Sequence, residues 1–233
     1  MTKLYKLTDK DGRTMNNCQW GEGVESPHGT KSGEGPLCTG HYYHAYTDPL
    51  LAVLCNPCNA DITNPLLWEA EGDVAKAEYG PKVGCTRLRT IRQIPSPEMS
   101  PAASIRWTIL WALEVCNDVE YVAWAHGWLS GEHRSLEAAR TVGRRTWEAW
   151  PPLTTKAAAR RAAAAMAEAA TADAMAIAMG TDAAWEEAEA ATWRAEAAMR
   201  HAEVWLAETG NSIDFAGLAR RAVEEEAAME IAP

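Results

Sequence analysis

Cys55-Asn56-Pro57-Cys58 places two thiols at a spacing that can grip one tetrahedral zinc ion, with Cys18, Cys38, His41 and His44 upstream as candidate further ligands. A structural zinc module ordinarily carries two such pairs, and here there is one. Reduced cysteines packed beside the apolar run from Leu50 to Leu54 are therefore the favoured reading, and no cofactor is expected. Zinc held by Cys18, Cys38, Cys55 and Cys58 is the alternative. No thioredoxin-like βαβ pattern surrounds the pair, which argues against dithiol redox chemistry. A second group lies far downstream. Glu189, Glu196 and Glu203 are spaced by seven, and Trp185 and Trp193 by eight. On a helix these form an acidic stripe with large aromatics close to one face. Such a surface could bind a basic protein partner, while solvated charge and helix packing explain the same residues without one.

The elements that must position these groups change character at Pro95-Ser96-Pro97. Before this break the chain is rich in Gly, Pro and Cys, with short runs of strand character; after it come helices increasingly rich in Ala. The pattern predicts an α+β protein: a small mixed sheet domain over residues 1–96, helices packing on it over 97–150, and an all-α region over 151–233. Charge follows the same division. Residues 1–96 carry 10 Lys and Arg against 11 Asp and Glu, and the remainder 12 against 21, within a net charge of −10. An acidic helical half argues against a broad phosphate-binding surface, and so against direct nucleic-acid binding. No segment approaches the roughly 18–20 apolar residues of a membrane span. Met1-Thr2-Lys3-Leu4-Tyr5-Lys6 runs into a strand pattern without a signal-peptide apolar stretch, which predicts a cytoplasmic protein with reduced thiols.

Within the first domain, Leu4-Tyr5-Lys6-Leu7 alternates, and Asp9-Lys10-Asp11-Gly12 reads as a turn. Residues 21–36 contain no apolar run and read as a long mobile loop. The aromatic stretch Leu37 to Tyr46 is expected in the sheet. Thr47 or Asp48 caps a short helix, with Pro49 in its first turn. In Leu66–Gly72, Leu67, Glu69 and Glu71 share one face; in Leu88–Ile94, Leu88, Thr90, Arg92 and Ile94 do.

The order Leu4-Tyr5-Lys6, Leu37-Cys38-Thr39-Gly40 leading to His44-Ala45-Tyr46-Thr47-Asp48-Pro49-Leu50, Leu67-Trp68-Glu69-Ala70-Glu71-Gly72, Lys82-Val83-Gly84-Cys85 and Thr90-Ile91-Arg92-Gln93-Ile94 resembles an uncharacterised family widespread in bacteriophages and prophage-bearing bacteria. Trp128-Leu129-Ser130-Gly131-Glu132-His133-Arg134-Ser135 and Ile213-Asp214-Phe215-Ala216-Gly217-Leu218-Ala219 are similar to longer members. The resemblance implies a phage origin and brings no established activity. The early Leu-Tyr strand, the aromatic strand followed by a short helix and the later Glu-bearing strand are also loosely similar to ADP-ribosyltransferases. That likeness implies a nicotinamide dinucleotide site at His44, Tyr46 and Glu71, where polar groups clamp the ribose and a carboxylate stabilises oxocarbenium charge. The first strand offers Lys6 where that family has Arg or His, and glutamates at 69 and 71 also suit a solvated sheet face.

In the helical half, Ser100-Pro101 opens a helix with Ile105, Ile109 and Leu113 at helical spacing and Trp107 and Trp111 beside them. A second helix places Val119, Val122, Ala123 and His126 together, with His126 at the edge of the core, and ends at Gly131. Ala158 to Met179 and Ala184 to Trp205 alternate small or apolar residues at spacings of four and three, the seam of an antiparallel Ala-rich hairpin able to support a homo-oligomer. Ser212 is expected to open the last helix. The favoured function is a non-enzymatic interaction protein of phage origin that binds a host or phage protein, most concretely an inhibitor of a host defence system of anti-CRISPR type, through Trp185, Glu189, Trp193, Glu196 and Glu203. The alternatives are an ADP-ribosyltransferase-like or nucleotide-binding enzyme, and a virion or assembly component.

Overall fold

The computed structural model describes residues 1–37, 39–56, 62–77, 81–115, 119–132, 134–135, 137–138, 141–142 and 213–231. The chain divides into two compact units, Met1–Glu98 and Met99–Pro233, close to the break at Pro95-Ser96-Pro97. It is an α+β protein: a four-stranded antiparallel sheet followed by helices.

In the first unit the main strands are β1 (Thr2–Thr8), β4 (Tyr43–Tyr46), β5 (Leu66–Ala77) and β6 (Lys82–Ile94), while β2 (Arg13–Thr14) and β3 (Cys18–Gln19) form a small separate ribbon. The four strands close into a barrel in the order β1-β4-β6-β5, antiparallel throughout. Asp9 makes the first turn, its Oδ1 accepting from the backbone N–H of Asp11 and Arg13. Gly12 completes it at φ +76°, where an added Cβ would stand 2.7 Å from the Trp20 carbonyl oxygen. The interior gathers Leu4, Trp20, Tyr43, Ala45, Cys85 and Leu88. Trp20 meets Tyr43 edge-on with centroids 5.3 Å apart, and the Trp68 indole donates to the Thr8 hydroxyl at 2.9 Å, so both buried polar atoms are satisfied. Helix α1 (Pro49–Leu54) lies on β1 and β4; Asp48 caps it, accepting from Leu50 N at 2.9 Å, an interaction worth ~1 kcal/mol.

Three expectations for this unit change. Glu69 pairs with Arg92 but Ala70 pairs with Thr90, so Ile91 is an extra residue in a β-bulge. Beyond it the alternation reverses: Thr90 is buried, whereas Arg92 turns out beside Glu69. Residues 21–36 are held rather than mobile. Ser26 N donates to Leu88 O, Thr90 N to Val24 O and Lys31 N to Thr86 O, along the edge of β6 that the short β4 leaves open. The Tyr42 hydroxyl donates to Gly33 O at 2.7 Å and the Tyr43 hydroxyl to Gly29 O at 2.8 Å, fastening the loop from the sheet side. The aromatic stretch is strand only from Tyr43 onward.

The second unit contains α2 (Pro101–Val115), α3 (Val119–Ser130) and α4 (Phe215–Ile231). Ser100 Oγ accepts from Ala103 N at the start of α2, and every residue from Ile105 to Ala112 is buried. Helix α3 buries Tyr121, Trp124, Ala125 and Trp128 and ends at Gly131, φ +94°. His126 falls on the opposite side and is exposed, not at the core edge. Asp214, not Ser212, caps α4, its Oδ1 accepting from Gly217 N at 2.8 Å. Helices α2 and α3 form one unit with α4: the Trp107 indole donates to Phe215 O, and Trp111 meets the Phe215 ring at 5.9 Å. The Ala-rich hairpin lies outside the described residues. Among the described residues no helix is long and apolar enough to cross a membrane.

Candidate functional site

Strand β4 carries His44 and Tyr46. Tyr43 and Ala45 point into the barrel, so His44, between them, turns outward. Its Nε2 lies 2.6 Å from Leu37 O; a carbonyl can only accept, so Nε2 carries a proton. Burial pulls His44 down to about 4, with the positive Lys82 and Lys6 adding to the effect and the Leu37 carbonyl opposing it. Tyr46 is buried opposite Tyr5 on one side and Lys82 on the other.

Strand β5 carries the glutamates, turned outward on either side of buried Ala70. Glu69 is pinned between Lys3 at 2.8 Å and Arg92 at 2.7 Å, and hydrogen bonds first from Lys3 and then from Arg92 hold its carboxyl below the usual range. Glu71 stands in register with Lys3 on β1 and Arg89 on β6. This is a cross-strand charge ladder on a solvated face. In the closed order β1-β4-β6-β5, β4 and β5 share both neighbours but never pair with each other. His44 and Tyr46 therefore face away from one side of the barrel and Glu71 away from the opposite side. The three residues implied by the ADP-ribosyltransferase likeness are not brought together.

Of the four thiols in the zinc alternative, Cys38 and Cys58 lie outside the described residues. Cys18 sits in the barrel core with Cys85, and Cys55 is the C-cap of α1. Burial raises the Cys18 thiol and pushes Cys85 up to about 11, so both are neutral, poorly nucleophilic thiols at physiological pH. Among the described residues no group of three or more His, Cys, Asp or Glu is placed to hold a metal ion. Trp185, Glu189, Trp193, Glu196 and Glu203 all lie outside the described residues.

Three buried cations escaped the sequence reading: Lys6, Lys82 and Arg106. Lys6, which read as the polar member of an alternating strand, points into the barrel with Leu4 and Thr8. Its Nζ donates to His44 O at 2.8 Å and stands 5.4 Å from the centre of the Trp20 ring; burial lowers it to about 8. Arg106 interrupts the apolar face of α2, with its side chain only 2% exposed, and meets Glu226 at 2.9 Å and Glu225 at 3.1 Å. A long-range partner more than a hundred positions away leaves no local signal; the only hint is a charge inside an otherwise apolar helix. Compared with family models, curated proteins and solved structures, the chain matches none.

Proposed function

We propose that this is a non-enzymatic interaction protein of phage or prophage origin, working in the host cytoplasm through its acidic Ala- and Trp-rich helical half. A protein of the host is the preferred partner, and inhibition of a host defence system the most concrete role. The observation that supports the reading is negative for its rival: His44 and Tyr46 stand on β4 and Glu71 on β5, strands that never adjoin in the closed barrel. One nicotinamide ribose cannot touch both groups. The carboxylate nearest in sequence, Glu69, is already committed to Lys3 and Arg92. What remains for function is the concentration of negative charge beyond residue 97, where carboxylates interspersed with Trp would offer a partner both steering and anchoring.

The test is capture of the tagged full chain from host lysate at moderate salt. A single stoichiometric partner is expected with the native chain and with the His44→Ala, Glu71→Gln double variant. It is lost when Glu189, Glu196 and Glu203 are changed to Arg, or in high salt. Recovery of no partner would sink the reading. Hydrolysis of a nicotinamide dinucleotide by the native chain, abolished by Glu71→Gln, would restore the enzyme.

A further inference from the structure

Residues 24–31 cover the edge of β6 as a strap, and the strap is an imperfect strand. It runs antiparallel to β6: Thr90 N donates to Val24 O at 3.0 Å, Ser26 N to Leu88 O at 2.8 Å and Lys31 N to Thr86 O at 2.9 Å, with Glu25 in register with Arg89. Between the last two bonds the strap advances five residues while β6 moves by only two, so residues 27–30 bulge away from the edge. Ser26 bears the strain. Its carbonyl accepts from Gly29 N at 2.7 Å, its φ of +41° lies in the region that favours glycine, and Leu88 N is left to the Ser26 hydroxyl at 3.1 Å. A regular strand would offer Leu88 N a backbone carbonyl without that strain. The bulge is held by side-chain chemistry: the Tyr43 hydroxyl donates to Gly29 O and accepts from His28 N, and Lys31 Nζ lies 5.1 Å from the centre of the Tyr43 ring. Charge along the edge is unevenly met. Arg87 and Arg89 are both exposed; Glu25 pairs with Arg87, whereas Arg89 makes no ion pair among the described residues, although Glu71 is its register partner on β5.

We propose that the β6 edge from Thr86 to Thr90 is a peptide-docking site, with the strap as its resident occupant and an extended acidic segment of a partner protein as the ligand that displaces it. Such a segment alternates apolar and acidic residues. An apolar residue takes the place of Val24 against the barrel core, and carboxylates two positions apart meet both Arg89 and Arg87, where the strap offers Glu25 and then Pro27. Main-chain bonds to Thr86, Leu88 and Thr90 replace those of the strap, and Leu88 N gains a carbonyl. The site lies in the barrel and does not rest on the function given to the acidic half, so either can fail alone.

Titration of the full chain with synthetic peptides, read by binding and by amide exchange, tests it. A peptide of alternating Val and Glu should bind, speed exchange across residues 24–31 and leave the Leu88 and Thr90 amides protected. A peptide of alternating Val and Lys, of equal length, should not bind. Glu25→Gln removes the strap's own ion pair at a carboxylate 39% exposed and should tighten the Val-Glu peptide roughly two- to fivefold. Arg89→Gln takes a cation from the peptide that the strap does not pair, and should weaken binding by a similar factor. Absence of binding to the Glu25→Gln chain at millimolar peptide would overturn the proposal. So would equal binding of the two peptides, or binding that leaves exchange of the strap unchanged. Strap exchange that quickens with protein concentration alone would assign the edge to a second copy of the chain, and would overturn the acidic ligand.

Discussion

The barrel and the helical unit each take a cation out of water, and they keep it there by different chemistry. The barrel holds Lys6 with a backbone carbonyl and the face of Trp20, and no carboxylate among the described residues reaches it. The helical unit surrounds Arg106 with Glu226 and Glu225. An amine can relieve the cost of burial by releasing its proton; a guanidinium cannot, and needs a counter-charge. The counter-charge then becomes structural, because it comes from a helix distant in sequence and fixes where that helix lies. The barrel's solution can be adjusted by releasing a proton, whereas the helical unit's depends on a permanent counter-charge.

The difference has a sign that stability measurements can read. Arg106→Met should cost the helical unit about 3 kcal/mol in urea unfolding, because Glu226 keeps its burial and loses one of its cations; adding Glu226→Met should recover most of it. Lys6→Met should act the other way and stabilise the barrel by about 1–2 kcal/mol near pH 7, since an apolar side chain replaces an amine that has no carboxylate. A destabilised Lys6→Met barrel would mean that the bond to His44 O outweighs the buried charge, and the contrast would fail.

The pH dependence sharpens the point. Lys6 is lowered in the folded barrel from 10.5 to about 8, so between those values the unfolded chain binds more protons and stability rises with pH, by at most about 1.4 kcal/mol per unit. Cys85 is raised from 9.0 to about 11, which favours the folded state below pH 9 and is lost as pH climbs from 9 to 11. Barrel stability should therefore rise from pH 8 to 9 and then flatten. Lys6→Met should remove the rise, and Cys85→Ala should extend it toward pH 10.5. A flat profile from 8 to 9 in the native chain would contradict a buried, unpaired amine. The smallest effect concerns the loop on β6. Tyr43→Phe removes the hydrogen bonds with Gly29 O and His28 N and should cost roughly 0.5–1 kcal/mol, with faster amide exchange confined to residues 24–31.

Local patterns in the sequence carried much of the fold. The Pro95-Ser96-Pro97 break marks the unit boundary, Asp48 and Ser100 cap their helices, and alternation located β1, β5 and β6. What was illegible depends on partners remote along the chain. The reversal at Ile91 comes from register with β5, and no property of Ile91 announces it. Lys6 looks solvent-facing until the barrel closes around it. The candidate site shows the same limit from the other direction: His44, Tyr46 and Glu71 have suitable chemistry, and only the closed strand order reveals that they diverge.

The Gly-rich stretch along β6 has a consequence for crowded solutions. Beyond Cys85, β6 outruns β4, and a bare strand there would offer a row of unsatisfied amides and carbonyls able to recruit a strand from another molecule. Val24, Ser26 and Lys31 occupy that row with their own backbone, and tyrosine hydroxyls keep them in place. The loop therefore insulates the barrel against edge-to-edge growth, and along this side neighbouring molecules meet side chains rather than main chain.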